Sequence, residues 1–559
     1  MAKNSFSFGW ILGLLFLTVI SASPALSAEF HVTTAAEFQA ALDSAETNGE
    51  DDTIDLKSGT YQGNFRYDSE DGKSLTIQGE SGTTPQDIIL DGGSAGKVLY
   101  LLGSSGGGRV TIEGVTIQNG SESGLYVSFQ NESLDITLNN AVIQNNSNWD
   151  RGGGIYLRPR SNATIRIEVR NSIIRNNQSQ GSEERRQGRG GGIWAFSCNG
   201  NSSVDLLIVN SLIYMNQANW TGGGIEVAAC ELGDDNVARV TVINSTITNN
   251  VSNQNSYGFY PGGGISVESY PGNGTIASAD LYNTIVYGNT YLDGDDGHDL
   301  YTHQESPGIT TVNAHSCVIQ HVISGTGTYF PENVIDTDPV FVDPVNDLYY
   351  LSGDSPCINA GTNSVPSPPG LPSTDLEGYP RVIGTAPDIG AYEWTPVRPG
   401  EGTVGTEIIV SQSGIGTKKG KVLMGSVPLK IVKWTTGAIR GQLTRALSPG
   451  TYVVTVQSKG VDPIVIDNGF TVKAPEIDSV EPTHGSTGDE TTVNGLFFGT
   501  KKGKVRLGGK NCKVLNWTMG SATGEGEIRF VVPKGLSPGT HELKITNGVE
   551  SDATNFTVE

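Results

Sequence analysis

"RGGGIYLRPRSNATIRIEVRNSIIRNNQSQ" occupies residues 151–180. Three glycines come first, then an isoleucine, then a stretch alternating apolar and polar with a period of two, then a pair of asparagines. The opening phrase returns as "RGGGIWA", "TGGGIEV" and "PGGGISV", with glycine runs starting at 152, 190, 222 and 262 in steps of 38, 32 and 40 residues. A second phrase runs in antiphase: "NNAVIQNN" (139–146), "RNSIIRNN" (170–177), "VNSLIYMN" (209–216), "INSTITNN" (243–250) and "YNTIVYGN" (282–289), with a degenerate copy "EGVTIQNG" at 113–120. Self-similarity at such a period marks stacked supersecondary units. Period-two alternation, frequent β-branched residues and turn formers between the runs make each unit β-structured. Between about residues 50 and 350 no helical periodicity intervenes.

Short strands with a variable repeat length predict a parallel β-helix, in which insertions fall in the turns and equivalent residues of successive coils stack about 4.8 Å apart. A propeller would need about four strands per repeat; these units read as holding two or three. The glycines then serve a tight corner where backbones approach closely. Ile155, Ile193, Ile225 and Ile265 should form an inward aliphatic stack, and Asn146, Asn177, Asn216, Asn250 and Asn289 an internal amide ladder at the opposite corner. A solenoid must cover its terminal layers. "AAEFQAALDSAETN" (35–48) places Phe38, Ala41, Leu42 and Ala45 on one helical face and is expected to cap the N-terminal end.

Residues 1–28 read as a signal peptide: Lys3, an apolar run from Trp10 to Ile20, and small residues near Ala28. The apolar run is short for a membrane span and no second one follows, so the expected mature chain is exported, extracellular or surface-held, without a transmembrane segment. No sorting motif or barrel is visible toward Glu559, so any surface anchor is not apparent. Of the formal charge of −23, residues 1–394 carry −27 (17 Lys+Arg against 44 Asp+Glu) and residues 395–559 carry +4 (19 against 15). An acidic body disfavours nucleic acid and anionic membrane as partners. The five cysteines include no CxxC pair, which argues against a thiolate zinc site.

"TDPVFVDPVNDLYYLSGDSPCINAG" (337–361) followed by "TDLEGYPRVIGTAPDIGAYEW" (374–394) resembles the closing signature of the choice-of-anchor Q β-helix proteins of bacteria. The GGGI and IxxN phrases are similar to repeats of polymorphic membrane proteins. Together the resemblances cover residues 29–394 and imply a right-handed, secreted or surface-held β-helix of the pectin-lyase-like kind, without defining a chemistry. After the Pro/Gly-rich "TPVRPGEGTVG", "GTKKGKVLMGSVPLKIVKWT" (416–435) matches "GTKKGKVRLGGKNCKVLNWT" (499–518), and "SPGTYVVTV" (448–456) matches "SPGTHELKI" (537–545). Two immunoglobulin-like β-sandwiches are expected, 395–473 and 474–559. "PEIDSVEPTHGSTGDETTVNGLFFG" resembles the start of an IPT/TIG domain; the first module lacks a clear opening of that kind.

Many β-helices bind or cleave polysaccharide, and both readings must be weighed. No histidine lies between His31 and His298 and no lysine between Lys97 and Lys418, which removes a lysine base from the stacked body. A lyase or glycoside hydrolase acting on uronate polymers would have to use carboxylates, or an arginine (Arg158, Arg160, Arg166, Arg175, Arg185, Arg186 or Arg189) with calcium. No catalytic residue is identified. "DGDDGHDLY" (293–301) offers Asp293, Asp295, Asp296 and Asp299 as hard calcium ligands, or else forms an acidic turn in which Asp299 caps backbone. Trp149, Trp220 and Tyr260 precede glycine runs by two or three residues. Stacked, they would form an edge of flat rings for sugars, or a packed ladder that closes the turn. Cys198 and Cys230 each lie eight residues after the first glycine of a run, so adjacent coils would bring them within disulfide range, or leave them as buried thiols. Taken together, the sequence favours a β-helix that binds extracellular polysaccharide or another cell-surface ligand. A polysaccharide-degrading enzyme and a purely structural surface protein are the alternatives.

Overall fold

The backbone of each repeat closes into one coil of a parallel β-helix. In a computed structural model, the described residues are 27–559 except 104–105, 182–186, 231–234, 254–261, 292–294, 297 and 519–524, with only the backbone described at 295, 296 and 525. Residues 1–26, most of the stretch expected to be a signal peptide, therefore lie outside them, as do Tyr260, Asp293, Arg185 and Arg186. Four sheets run along the solenoid. In the coil that opens this sequence the chain passes through Ile155–Arg160 in sheet C, Thr164–Arg170 in sheet A, Ile173–Arg175 in sheet B and Gln178–Ser179 in sheet D. Sheet A has eleven strands, sheets B and C nine each, and sheet D six. Pairing between coils is parallel and in register, so Leu125, Ile155, Ile193, Ile225, Ile265 and Leu300 stack in one inward column.

Each full coil thus has four strands, not two or three. The fourth has only two residues, too short for any periodicity to reveal it. What separates this solenoid from a propeller is the parallel register between repeats, not the strand count. The core is continuous from Val32 to Ile319, mostly aliphatic with aromatic rings such as Phe38, Tyr61, Phe65, Tyr67 and Phe129 toward its N-terminal end. At the N-terminal end the helix Ala35–Ala45 covers it, with Phe38, Ala41, Leu42 and Ala45 buried. Thr34 and Glu37 form a reciprocal capping box that fixes the helix start.

The paired asparagines divide their labour. The first of each pair, such as Asn145, Asn176 or Asn249, takes left-handed backbone at the turn from sheet B to sheet D. Met215 holds that position in "IYMN" with φ 53°. The second asparagine points inward. The side-chain nitrogen of each of Asn146, Asn177, Asn216 and Asn250 donates to the amide oxygen one coil on at 2.9–3.0 Å and to a backbone carbonyl one coil back, and the amide oxygen also accepts the donor residue's backbone N–H. The ladder was expected opposite the glycine corner. Instead it lies against it, because the two-residue strands of sheet D bring the corners together. A Cβ on Gly154 would sit 3.0 Å from the Asn177 amide and 2.6 Å from the carbonyl of Gly192, and one on Gly153 2.6 Å from the carbonyl of Gly191, so the stacking excludes a side chain at both the second and the third glycine.

The closing segment does not cap the last coil end-on. It lies along the outer face of sheet B: Tyr349 packs edge-on to Tyr214, the Asn249 amide donates to the Tyr349 hydroxyl at 2.9 Å, and the Ala391 N–H donates to Thr246 at 3.0 Å. Buried Arg381 bonds Glu393 at 3.0 Å and reaches Asn210 on the solenoid. Asp343 then holds the next domain through Lys433 at 2.5 Å and Arg440 at 3.0 Å. Two sandwiches of four and five strands with the same strand order follow, spanning Val397 to Val472 and Glu476 to Val558, antiparallel except for one parallel edge pair in each five-stranded sheet. The opening strand of the first, Val397–Arg398, has two residues, which explains its missing sequence signature.

Candidate ligand-binding face

Residues that alternate with the core column of sheet C point outward, and register stacks them too. The first outward column reads Tyr100, Tyr126, Tyr156, Trp194, Glu226, Ser266, Tyr301. Its first four members form an aromatic ladder. Tyr100 meets Tyr126 edge-on at 5.0 Å between ring centres, Tyr126 stacks on Tyr156 at 4.1 Å and 9°, and Tyr156 meets Trp194 at 4.7 Å. Lys97 sits over Tyr126 at 4.7 Å and over Tyr100 at 5.2 Å, and Arg151 over Trp194 at 5.2 Å. Burial pushes the Tyr126 phenol well above its usual range, Tyr156 adds to this, and Arg160 pulls it back.

The ladder changes character along its length. Tyr100 and Tyr126 are half-exposed, whereas Tyr156 and Trp194 are 2% and 1% exposed. Two clefts flank Tyr126. One, of about 290 Å³, is lined by Lys97, Glu122, Asn148, Trp149 and Tyr156; the other, of about 280 Å³, by Asp68, Tyr100, Ser128, Gln130 and Arg160. Trp149 is 66% exposed at the rim of the first.

Past Trp194 the same face is closed over a charged cluster. Arg189 donates from Nη1 to Glu226 at 2.6 Å and to Glu268 at 3.4 Å, and all three are buried. Glu268 also accepts from Tyr270 at 2.5 Å, Ser266 at 2.8 Å and Thr221 at 3.1 Å. Burial raises the Glu226 carboxyl to about 8 despite Arg189. Burial acts on Glu268 as well, but Arg189, Tyr270 and Ser266 outweigh it and hold that carboxyl below its usual range. Two carboxyls driven apart in this way form the acid–base arrangement hydrolases use. Here both are out of reach of solvent with a guanidinium between them, so no open position is left for a sugar. Glu226 Oε2 and Trp194 Nε1 are buried without a hydrogen-bond partner among the described residues.

The edge row read from the sequence is not a row in the fold. Trp149 borders a cleft; Trp220 is half-buried under Arg189, whose guanidinium lies 3.7 Å from its ring centre; Tyr260 is outside the described residues. The aromatics that do align are those one residue after the inward column, in "VLY", "GLY", "GIY" and "GIW" (98–100, 124–126, 154–156, 192–194). Their common offset was visible in the repeat.

In the acidic loop, Asp295 and Asp296 form a short strand antiparallel to Thr290–Tyr291. Asp299 ends the asparagine ladder: one oxygen accepts the backbone and side-chain N–H of Asn289 at 3.0 and 2.9 Å, the other the His321 N–H at 3.2 Å. Burial raises its carboxyl to about 6. A group that only accepts suits a ladder terminus, and both oxygens are thereby engaged. The metal-capable side chains that converge among the described residues are instead Glu29, His31 and Asp55, on the first strands of sheet A. Cys198 and Cys230 are joined as a disulfide with Cα atoms 5.0 Å apart, while Cys317 and Cys357 are buried free thiols. Arg166 pairs with Asp135, and Arg175 bonds Gln144 and Tyr214.

A second groove, of about 540 Å³, lies between sheet A and Pro366, Pro368 and Pro369. Its floor is the column Arg109, Asp135, Arg166, Asp205, Arg239, whose charges alternate. The pairs Arg166–Asp135 and Arg239–Asp205, at 3.2 and 3.6 Å, neutralise one another, and no aromatic ring lines it.

Residues 475–558 match the family model of the IPT/TIG domain. Human fibrocystin-L is 26% identical over 180 residues, 29% of this chain and 4% of that protein, so the chain spans a small fraction of its relative. Similar solved structures include a surface glycan-binding protein of a Bacteroides ovatus mixed-linkage glucan utilization locus, bound to a mixed-linkage heptasaccharide (15% identity, 29% of this chain, 43% of that one, TM-score 0.16). Another is its counterpart from a xyloglucan utilization locus of Bacteroides uniformis (20%, 29%, 48%, TM-score 0.17). A third is the plexin A4 extracellular region (12%, 30%, 18%, TM-score 0.21). Overlaps this short leave the function to be argued from the site. Among the described residues no helix is long and apolar enough to cross a membrane.

Proposed function

We propose that this is an exported, surface-held protein that binds extracellular polysaccharide on the open part of sheet C. The observation that carries the reading is the ring pair Tyr100–Tyr126, half-exposed and flanked by two clefts, with Trp149 at the rim. Flat apolar ring faces beside polar groups suit the mixed surface of a sugar. The reading also takes residues 1–28 as a signal peptide, 29–394 as a solenoid of the choice-of-anchor Q kind, and the two sandwiches as spacers.

Against a hydrolase weighs the burial of Glu226 and Glu268; against a purely structural role weighs the open ring face. In the test, the full chain lacking residues 1–28 is run in affinity gels containing neutral or acidic polysaccharides, alone and as the Tyr126→Ala and Trp149→Ala variants. Retardation by at least one polysaccharide, lost in both variants with unchanged melting temperature, is the expected outcome. Retardation that survives both substitutions, or none with any polysaccharide, contradicts the reading.

A further inference from the structure

The two clefts beside Tyr126 differ in charge. At the glycine-corner end the cations are neutralised: Lys97 by Glu122 at 2.5 Å and Arg151 by Asp150 at 2.9 Å. At the other end Arg158 and Arg160 project from Ile155–Arg160 on the same side of the strand, above Ser128 and Gln130 of the coil below. Neither makes an ion pair with a described carboxylate. Arg158 reaches the Tyr156 hydroxyl at 3.4 Å, and its Nε is buried with no partner among the described residues. Arg160 is exposed and lines the cleft. The one carboxylate lining that cleft, Asp68, is engaged by Arg66 at 2.6 Å.

Two adjacent guanidiniums without a counter-ion among the described residues stand out in a body of net charge −27. On sheet A, Arg166 pairs with Asp135 and Arg239 with Asp205 of neighbouring coils. The exposed Arg160 guanidinium lines the cleft, with Arg158 two residues before it on the same side of the strand, and a carboxylate or sulfate there would supply an acceptor in charge-assisted geometry.

We infer that the face takes an acidic oligosaccharide laid along the strands, across the solenoid. Its sugar faces would rest on Trp149 and Tyr126, and an anionic group would meet Arg158 and Arg160. The inference rests on the sugar-binding reading above and adds the ligand's charge and direction. The strand Leu125–Gln130 spans roughly 17 Å at 3.3 Å per residue, so the recognised segment is short. The direction also answers the acidic body. A polyanion running lengthwise would meet repulsion from coil after coil, whereas one crossing the face presents its charge where the arginines are, and more distant charges are screened beyond about 8 Å at physiological salt.

The test uses one sugar in two charge states: tetragalacturonate and its fully methyl-esterified form, titrated calorimetrically into the full chain lacking residues 1–28. The inference expects the acid to bind at least about tenfold more tightly than the ester, and Arg160→Ala and Arg158→Gln each to abolish most of that preference while leaving the ester's affinity within about twofold. Equal affinity for acid and ester, or a preference that survives both arginine variants, overturns the inference and leaves the sugar-binding reading standing. Binding of both forms unchanged by Tyr126→Ala overturns the reading and the inference together. An acid that does not bind overturns the inference, whatever the neutral polysaccharides of the gel panel do. Melting temperatures within a degree of the parent protein show that the variants are folded.

Discussion

The outer face of sheet C holds two regions built on one register that behave in opposite ways. At Tyr100 and Tyr126 the column is open and flanked by clefts; at Trp194, Glu226 and the neighbouring Glu268 it is buried and locked by ion pairs. The strands are equivalent, so strand chemistry does not set the difference. A side chain supplied from a corner does. Arg189, just before the glycine run at 190, lies over Trp220 and reaches both glutamates. The connection 149–151 instead leaves Trp149 at the rim of a cleft. In a β-helix the repeat sets which residues share a face, and the side chains its corners supply set which of them meet solvent.

The contrast can be broken most forcefully at Arg189. Replacing it by alanine leaves Glu226 and Glu268 buried together without a counter-ion, and should destabilise the solenoid by about 3–5 kcal/mol. Thermal and urea unfolding would register this, and a change under ~1 kcal/mol would mean the cluster is wet. Next in size is Tyr126→Ala, expected to weaken glycan binding at least about tenfold, ~1.4 kcal/mol, while Trp194→Phe, in the closed half, leaves it within about twofold.

Third is a pH effect. The folded-state Glu226 carboxyl is raised above its unfolded value of 4.5, to about 8. The folded protein therefore binds the extra proton between these values, and the contribution is fully present below pH 4.5 and lost as pH rises toward 8. Glu268, shifted the other way, contributes above 4.5 and loses that contribution as pH falls below it. Glu226→Gln should flatten the decline in melting temperature between pH 5 and 8; an unchanged slope places the titration elsewhere. The smallest expected effect is on the exposed arginine: Arg160→Ala should alter stability by no more than ~0.5 kcal/mol, which separates its role in binding from one in folding.

How legible each region was follows from the same division. The glycine runs, inward isoleucines and asparagine ladder were readable because stacking demands the same residue type at the same offset in every coil. The cap helix was readable because Phe38, Ala41, Leu42 and Ala45 repeat at helical spacing. Sheet D escaped because two residues carry no period. The lateral seat of the closing segment escaped because it depends on distant contacts such as Tyr349 with Tyr214 and Arg381 with Asn210. For the site, the aromatics of the connections were noticed and the column on the strands was missed. Trp149 and Trp220 stand at different places in their three-residue connections, three and two residues before the glycines, so counting back does not preserve alignment. Tyr100, Tyr126, Tyr156 and Trp194 sit on strands, where counting forward does. Arg189 was one of seven candidate arginines in the sequence, and its burial between two glutamates could not be seen without knowing that Glu226 and Glu268 project from the same sheet face.

Hydrogen–deuterium exchange of the full chain lacking residues 1–28, with and without the polysaccharide it retains best, tests the central claim most directly. The account predicts slowed exchange in 97–103, 122–130 and 148–160, with little change in 362–372 over the sheet A groove. Protection of 362–372 with none at 122–130 would place the ligand on the other face and contradict it.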